Sequence, residues 1–270
     1  PLGRAVVDGD DFVVTGRWPW ASGSANCRWL AGGCMIMQGN EVRRRSDGAP
    51  DSRFILFPRA DVELIDTWRA SGMRGTGSGD MAVHEVRVPQ THAVSLTDDA
   101  LNNAPLYKFP VFGLLAVGIA SVALGNAKGA LDALRTLATA KRPQFSRRSL
   151  AERSMVQAEF ARASARWRAA LALLDEVVDR CWASAQQEGP LSIEIRADLR
   201  LACTHATRES AEVATTAYEL GGGTSVYSSH PLQRHFRDAH VATQHIMVSP
   251  PSYELTGRVL FGLDADTSML

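Results

Sequence analysis

The residue pattern of this chain changes near residue 105, and that change limits the folds open to it. Before it, short runs of strand-forming residues such as DFVVTGRW, RFILFP and MAVHEVRVP alternate with Gly, Asp, Asn and Pro, which predicts closely spaced antiparallel strands. After it, alanine, leucine and arginine dominate, and apolar residues recur every three or four positions. We therefore predict an α+β chain with an antiparallel β-domain over residues 1–102 and a C-terminal four-helix bundle over residues 103–270.

The helical half divides at the breaks KRPQFS, QQEGPLS and GGGTSVYSSHP. These breaks predict helices at about 110–140, 149–186, 194–220 and 231–246, with a shorter one at 252–262. Three of the helices are on the order of 40 Å long, which favours packing against another subunit. The longest apolar run, residues 109–124, falls short of the ~20 residues that cross a bilayer, so we expect a buried bundle helix and no membrane contact.

Charge and cysteine usage restrict the partners and the compartment. Lys plus Arg and Asp plus Glu both total 29, so the balance of charge gives no reason to expect nucleic acid or an anionic membrane as a partner. Small molecules or other subunits are the expected partners. None of the four cysteines belongs to a CxxC pair, which indicates free thiols and predicts a cytoplasmic protein.

The stretch RWPWASGSANCRW, residues 17–29, holds three tryptophans around a proline and a glycine. Neither a buried strand nor an ordinary surface loop favours that composition. Trp20 and Ser22 would share a face on a strand, where an indole could cover a flat ring while a hydroxyl bonds to its edge. The alternative is that the tryptophans pack in a core or an interface and that Ser22 is a turn residue.

Two glycine-rich segments are candidate anion sites. The stretch DTWRASGMRGTGSGD, residues 66–80, surrounds Arg74 with flexible backbone, although a tight connection between strands explains it as well. The stretch LGGGTSVY, residues 220–227, follows a helix, and its backbone N–H groups could surround a phosphate, unless the glycines only end the helix. The candidate residues of the second segment are Gly222, Gly223, Thr224 and Ser225.

Further candidates lie between helices and along the last long one. In KRPQF, Arg142 could reach a phosphate and Phe145 could lie on a ring. Four histidines, His230, His235, His240 and His245, are spaced five apart, which rotates successive side chains on a helix by roughly 140° and argues against a metal site. One of them could be a general acid or base instead. No Gly-x-Ser-x-Gly elbow, P-loop or Rossmann fingerprint is present.

Taken in order, WPWASG, SGMRGTGSGDMAVHEVRVP, KRPQF, YELGGGTSVY and QRHFRDAHVATQH resemble the acyl-CoA dehydrogenase superfamily over nearly the whole chain. The resemblance implies a middle β-domain, a C-terminal four-helix bundle and tetramers. An N-terminal helical domain, which is the family's first part, is expected to be missing from this chain. In the family, that domain covers one side of the active site.

Within the superfamily, WPWASG and RGTGS resemble the oxygenase components of reduced-flavin-dependent two-component monooxygenases. The dehydrogenases carry a glutamate base shortly after an RDAK-like sequence; here Ile246 stands near that position, beside His245, and no carboxylate occurs between Asp238 and Glu254. The resemblance therefore implies hydroxylation of a phenolic or related aromatic substrate through a flavin hydroperoxide. The alternatives are an acyl-CoA dehydrogenase-type flavoenzyme and a non-catalytic fragment that forms an assembly core.

The resemblance also implies a role for each candidate residue. Trp20 would cover the flavin ring and Ser22 would bond near its N5, while His245, with His240 as second choice, would accept the phenolic proton. Arg142 and Phe145 would contact the phosphate or ring edge of flavin bound mainly by a neighbouring subunit. Thr224 and Ser225 would line the phosphate end, and Gly222 and Gly223 are the other cofactor-binding candidates. The implied cofactor is reduced FMN, with FAD as the alternative, delivered by a separate NAD(P)H-dependent reductase. O2 and a small aromatic compound are the implied substrates, and no metal is expected.

Overall fold

The computed structural model describes residues 2–96, 104–187 and 189–270. The chain divides into two compact units, one comprising Pro1–Ala70 and Arg74–Leu101, the other Ser71–Met73 and Asn102–Leu270. The predicted boundary between residues 102 and 103 lies outside the described residues and stays a prediction. Ser71–Met73 comes from the middle of the β-rich half, and no pattern in the sequence indicates that it groups with the helices.

The described residues of the first unit form an eight-stranded sheet. Its strands are β1 (Gly3–Asp8), β2 (Asp11–Trp18), β3 (Trp29–Gln38), β4 (Glu41–Val42), β5 (Ser52–Pro58), β6 (Glu63–Ile65), β7 (Asp80–Pro89) and β8 (Ala93–Val94). The order across the sheet is β6-β7-β2-β1-β3-β5-β8, with β4 paired to β3. The runs DFVVTGRW and RFILFP are strands as predicted, and MAVHEVRVP lies within β7.

One strand pair departs from the predicted antiparallel pattern. β1 and β3 are parallel, with Gly3 opposite Cys34, while the other pairs among the described strands are antiparallel. The cause is the path of the chain. β2 folds back on β1 and ends beside its beginning, so that β3, which starts after residues 19–28 on the other side of β1, runs in the same direction as β1.

The second unit is helical. Its helices are α1 (Pro105–Lys108), α2 (Val111–Ala140), α3 (Ser154–Ala185), α4 (Ile193–Gly221), α5 (Pro231–Ala242) and α6 (Pro251–Leu260). α4 packs on α2, α3 and α5, and much of its surface is buried. Small residues allow this close packing, since alanines recur on the buried face of α2 at positions 116, 120, 123, 127 and 130. The predicted bundle is confirmed.

α2 alone among the described helices is long and apolar enough to cross a membrane by length and composition. In the structure its alanine face packs against the other helices of the bundle, and the largest helical core cluster includes Ala116, Ala120 and Leu124. Residues 111–124 of the apolar run therefore belong to a bundle helix, but the predicted burial holds for one face only, because Leu114, Leu115 and Val122 are exposed.

The last predicted long helix ends four residues early, at Ala242 instead of residue 246. There the backbone hydrogen bonds change from a spacing of four residues to one of three, because Gln244 N–H donates to the carbonyl of Val241. The Thr243 hydroxyl also donates to the carbonyl of His240, at 2.7 Å. The prolines at positions 250 and 251 then exclude a continuous helix. His245 consequently lies outside the helix, which corrects the predicted helical placement of this residue.

Candidate functional site

The first of the three clustered tryptophans is a core residue. The Trp18 indole is 8% exposed, and its Nε1 donates to the carbonyl of Gly33 at 2.9 Å. It lies against glycines on three strands, Gly3, Gly16 and Gly32, and a Cβ at Gly16 or Gly32 would come within 2.6 Å of the ring. We name Trp18 and these three glycines the glycine cradle. The core alternative for the tryptophan cluster is thus correct for Trp18.

Trp20 and Ser22 lie in the loop after β2, so the expectation that they share a strand face is wrong. The chain leaves the strand at Trp18, and Trp20 adopts a left-handed backbone conformation with φ of 60°. The Ser22 N–H then donates to the carbonyl of Trp20 at 2.8 Å, which closes a tight turn. As a result the Trp20 indole is 73% exposed on the first unit, beside the exposed Ser22.

The structure joins the WPWASG loop to the glycine-rich stretch RGTGSG. Ala21 N–H donates to the carbonyl of Gly79, and Gly23 N–H donates to that of Thr76, both at 2.9 Å. Two motifs that the sequence presents separately are therefore one local structure in the first unit.

A row of three hydroxyl groups runs through this joint. Ser22 Oγ lies 2.7 Å from Ser78 Oγ, which lies 2.5 Å from Thr76 Oγ1. We name Ser22, Ser78 and Thr76 the hydroxyl chain. Sequence reasoning missed Ser78 and Thr76; the available signal was their alternation with glycine in GTGSG, directly before a strand.

The segment Ser71–Met73 is fixed to α5. Met73 N–H donates to Asp238 Oδ1 at 2.6 Å, and Arg237 Nη1 donates to the carbonyl of Ser71 at the same distance. Gly72 is buried against the Arg237 carbonyl, where a Cβ would overlap it. Asp238 therefore holds a backbone segment, a role that its sequence position did not indicate.

His245 caps the short 3-10 turn Ile246–Val248. Its Nδ1 accepts a hydrogen bond from Met247 N–H at 3.2 Å, so the neutral ring carries its proton on Nε2. Partial burial lowers the pKa of His245, and the buried Arg200 guanidinium lowers it further. Both effects favour the neutral ring, which presents Nε2–H as a hydrogen-bond donor. The proton-accepting role that the resemblance implied for His245 stays a prediction.

In His240 the other ring nitrogen, Nε2, has the protein partner. Its Nε2 lies 2.9 Å from Thr215 Oγ1, and that hydroxyl donates to the carbonyl of Ala211 at 2.9 Å. When the single hydroxyl proton is used there, Nε2 of His240 is the donor in its contact with Thr215, and Nδ1 of the neutral ring keeps its lone pair. The ring is exposed and packs on Phe236, with centroids 4.6 Å apart. Within the described ranges, no residue forms a hydrogen bond to Nδ1 of His240.

The remaining candidates occupy two turns of the second unit. Phe145 is 99% exposed with φ of 61°, and Arg142 is exposed in the same connection between α2 and α3. Beyond α4, residues Gly222–Val226 form a 3-10 helix, which begins at Gly222 with φ of 57°. Thr224 is half-buried there, and Gly223 is exposed.

Ser225 differs from its neighbours because it is fully buried. Its hydroxyl lies against Gly221, where a Cβ would overlap it, and has no hydrogen-bond partner among the described residues. Lys141 Nζ donates to the carbonyl of Gly221 at 2.7 Å, so the turn is held to the end of α2. Thr224 and the glycines are better placed than Ser225 to meet a phosphate, and all four assignments stay predictions.

The exposed side chains suit a flavin. An isoalloxazine needs an apolar face and polar groups at its edge, and the Trp20 indole beside the Ser22 hydroxyl supplies both within one turn. An exposed Phe145 beside Arg142 suits a ring and a phosphate in the same way. Residues 2–96, 104–187 and 189–270 contain no group of three or more His, Cys, Asp or Glu that could hold a metal ion.

Comparison with known proteins identifies relatives of this arrangement. Residues 117–250 match the family described as acyl-CoA dehydrogenase, C-terminal domain. The chain is 31% identical over 262 residues to indole-3-acetate monooxygenase from Pseudomonas putida, covering 97% of this chain and 65% of that protein. It is also 31% identical over 287 residues to the flavin-dependent monooxygenase oxygenase subunit HsaA from Rhodococcus jostii, covering 100% of this chain and 72% of that protein.

Solved structures include the same group of enzymes. XiaF from Streptomyces sp., in complex with FADH2 and glycerol, superimposes with a TM-score of 0.85 at 25% identity, covering 98% of this chain and 67% of that one. The fold and the exposed candidate residues thus occur in a chain whose relatives are named flavin-dependent monooxygenases. The chain spans less than two thirds of the length of the Pseudomonas putida relative.

Proposed function

Because this chain belongs to the acyl-CoA dehydrogenase superfamily, in the branch of flavin-dependent monooxygenase oxygenase subunits, we propose that it forms part of an aromatic hydroxylase. The substrate is a phenolic or related aromatic compound, into which one atom of O2 is inserted. The reduced flavin, FMN or FAD, comes from a separate NAD(P)H-dependent reductase, in line with the words "oxygenase subunit" in the name of the Rhodococcus jostii relative.

The observation that carries this proposal is the exposed Trp20 beside the hydroxyl chain. A large indole held in left-handed backbone and left in solvent has no role in the packing of the first unit. A flat ligand that covers it explains the backbone strain, and Ser22 then lies at the edge of that ligand with its hydroxyl already oriented by Ser78.

The division of work between cofactor and protein follows from what the side chains can do. When bound, the reduced flavin supplies the two electrons with which O2 is cleaved to one inserted oxygen atom and water. The chain supplies an apolar surface at Trp20, a hydrogen bond at Ser22 and proton handling by histidine.

The two histidines take complementary roles. His245 presents Nε2–H, which stabilises negative charge on an oxygen by hydrogen bonding. His240 keeps an open Nδ1 lone pair and accepts the phenolic proton, which makes the ring carbon a stronger nucleophile. This assignment exchanges the order of preference that the resemblance suggested.

The bundle residues serve assembly in this proposal. Arg142 and Phe145 contact flavin held mainly by a neighbouring subunit, and Gly222, Gly223 and Thr224 line its phosphate end, while the fully buried Ser225 packs within that turn against Gly221. A homo-oligomer follows from this sharing, and the resemblance to the family implies that it is a tetramer. The described cysteines Cys27, Cys34, Cys181 and Cys203 are all free thiols, which supports a cytoplasmic location.

An acyl-CoA dehydrogenase activity lacks its base in this chain. The last carboxylate before His245 is Asp238, and it already accepts a hydrogen bond from Met73 N–H. The next carboxylate in the sequence is Glu254, on α6. Proton abstraction next to a thioester therefore has no carboxylate near the family's usual position.

The experiment that tests the proposal is anaerobic titration with reduced FMN and reduced FAD, followed by rapid mixing with oxygenated buffer. We expect tight binding of reduced flavin, and a long-lived species that absorbs in the near ultraviolet before oxidised flavin returns. Trp20→Ala should weaken binding, whereas Trp29→Ala, at a half-exposed indole that packs edge-on against His92, should not. Absence of binding to the unaltered chain overturns the proposal.

A further inference from the structure

Arg200 is a buried cation on α4 without an anionic partner. Its side chain is 3% exposed, and within the described ranges its guanidinium bonds to neutral groups only. One of its N–H groups, at Nε, is buried and has no hydrogen-bond partner among the same residues. Because removing a charge from water is costly, buried charges in proteins are normally paired. An unpaired arginine at this position therefore requires a local reason.

The guanidinium of Arg200 joins three other parts of the second unit to α4. Nη1 donates to the carbonyl of Met269 at 2.7 Å and lies 3.6 Å from the sulfur of Met247. Nη2 donates to Oγ of Ser252, on α6, at 3.4 Å. Met247 and Ser252 are buried, so these contacts are shielded from water. Arg200 thus holds the 3-10 turn Ile246–Val248, the beginning of α6 and residue 269 in one arrangement.

His245 is connected to Arg200 through Met247. The backbone N–H of Met247 donates to Nδ1 of His245, while its side chain contacts Arg200. Nδ1 accepts that hydrogen bond only while it keeps its lone pair, so protonation of the ring breaks the cap of the turn. Partial burial lowers the pKa of His245, and the positive charge of Arg200 lowers it further. Both effects keep the cap intact as the pH falls.

The elements beside the turn offer few other charges. The turn packs on α2, which has no titratable side chain from residue 111 to residue 127. On α4, burial raises the pKa of Cys203 to about 12, so this thiol is neutral. The neighbouring charged or titratable side chains on α4, α5 and α6 are Arg196, Cys203, Asp238, His240, Tyr253 and Glu254. Arg200 is the charge that acts on the His245 ring.

We infer that Arg200 is a positioning residue for His245. Its guanidinium fixes the turn through Met247, and its unpaired charge preserves the lone pair of Nδ1 that caps the turn, so the Nε2–H group keeps one direction. The inference rests on the proposed function only for the use of that N–H group in hydroxylation. The contacts that carry it lie within the second unit and can be tested without flavin.

The measurement is the pKa of the His245 ring in the free chain, from NMR titration of its Cε1–H signal, which is assigned by its loss in His245→Asn. Arg200→Met fills a similar volume without charge, and Arg200→Gln also keeps an N–H donor. In both variants the pKa of His245 should shift upwards, because a positive charge that disfavours the protonated ring is removed. The amide signal of Met247 should titrate with the same pKa, since protonation of Nδ1 breaks its hydrogen bond.

Two further variants separate the charge of Arg200 from a structural effect. Arg200→Lys keeps the charge, so the pKa of His245 should stay close to that of the unaltered chain. Arg196 lies one turn earlier on α4, and its Nη2 donates to the carbonyl of Leu270 at 2.7 Å, next to the residue that Arg200 holds. Arg196→Met should loosen the same segment and leave the pKa of His245 unchanged.

The outcomes separate this inference from the proposed function. An upward shift in Arg200→Met and Arg200→Gln, without one in Arg200→Lys and Arg196→Met, establishes the positioning role. An unchanged pKa in the folded neutral variants overturns it, as does an equal shift in Arg196→Met. If neither neutral variant folds, the unaltered chain decides: a His245 pKa at or above the ordinary value of 6.5 overturns the role, and a lower one supports it. Failure of reduced flavin to bind would overturn the proposed function and leave these results unaffected.

Discussion

Asp238 accepts a hydrogen bond from the backbone N–H of Met73 at 2.6 Å, across 165 positions of sequence. The neighbouring Arg237 binds the carbonyl of Ser71, so two adjacent residues of α5 hold both polar groups of one short segment. Met73 has φ of 50°, an unfavourable backbone conformation that needs such support. The segment leads directly into the glycine-rich stretch that carries Thr76 and Ser78.

Asp238→Ala should release this segment. We expect a loss of about 1–3 kcal/mol in the free energy of unfolding, because a charge-assisted hydrogen bond disappears. Limited proteolysis should then cut between residues 70 and 80 faster than in the unaltered chain. Asp238→Asn keeps an acceptor oxygen and serves as the control. Cleavage of Asp238→Ala at the rate of the unaltered chain would show that the carboxylate does not hold the segment.

His245→Asn tests the donor role of this residue. Asparagine can still cap the 3-10 turn and present an N–H group, so we expect stability to be kept and hydroxylation to fall less than about tenfold. His245→Ala should lose about 1 kcal/mol of stability, as capping residues do, together with most of the activity. Complete loss of hydroxylation in a stable His245→Asn variant would indicate that His245 accepts the phenolic proton.

Gly129 and Gly125, on the same helix, should respond oppositely to alanine. A Cβ at Gly129 would lie 2.7 Å from Cε1 of His235, whose Nδ1 is already bonded to Asn126 Oδ1 at 2.7 Å. We expect Gly129→Ala to cost about 1–3 kcal/mol through overpacking. Gly125 has open space around it and should gain up to about 1 kcal/mol in helix propensity. Thermal unfolding of both variants gives the comparison, and a stabilised Gly129→Ala would contradict the packing described for His235.

One of the four cysteines should react rapidly with a thiol reagent at pH 8. Burial raises the pKa of Cys34 and Cys203 to about 12 and that of Cys181 to about 11, so their reactive thiolate forms are scarce at this pH. Cys27 is exposed and is the expected target. In the native protein, one thiol per chain should therefore react quickly, and the Cys27→Ser substitution should abolish this fast reaction. Fast reaction of that variant would show that the core opens readily.

The sequence predicted the helices well where apolar residues recur at regular intervals. The apolar spacing in α2 and α4 is set by burial, and their bounds agree with the prediction within a residue or two. The end of α5 was missed because the cause is local: the Thr243 hydroxyl bonds back to the helix, and two prolines follow. Hydrophobic periodicity does not register such bonds.

Part of the candidate site could also be predicted from the sequence. Trp20 and Ser22 stood out by composition, but their partners Ser78 and Thr76 lie more than fifty positions away and meet them only through the folded sheet. The direction of proton donation at His245 was also hidden, because it depends on which ring nitrogen meets Met247 N–H. Contacts that form only in the folded tertiary structure produce no periodic pattern in the sequence.

The glycine cradle restricts how this chain can diverge from its relatives. A side chain at Gly3, Gly16 or Gly32 overlaps the Trp18 ring, and a smaller residue at position 18 leaves a cavity that those glycines do not fill. Any single exchange therefore costs stability, and only a paired exchange of a smaller ring for an added methyl group avoids both the overlap and the cavity. These four positions, on three strands, are therefore expected to vary together among related chains.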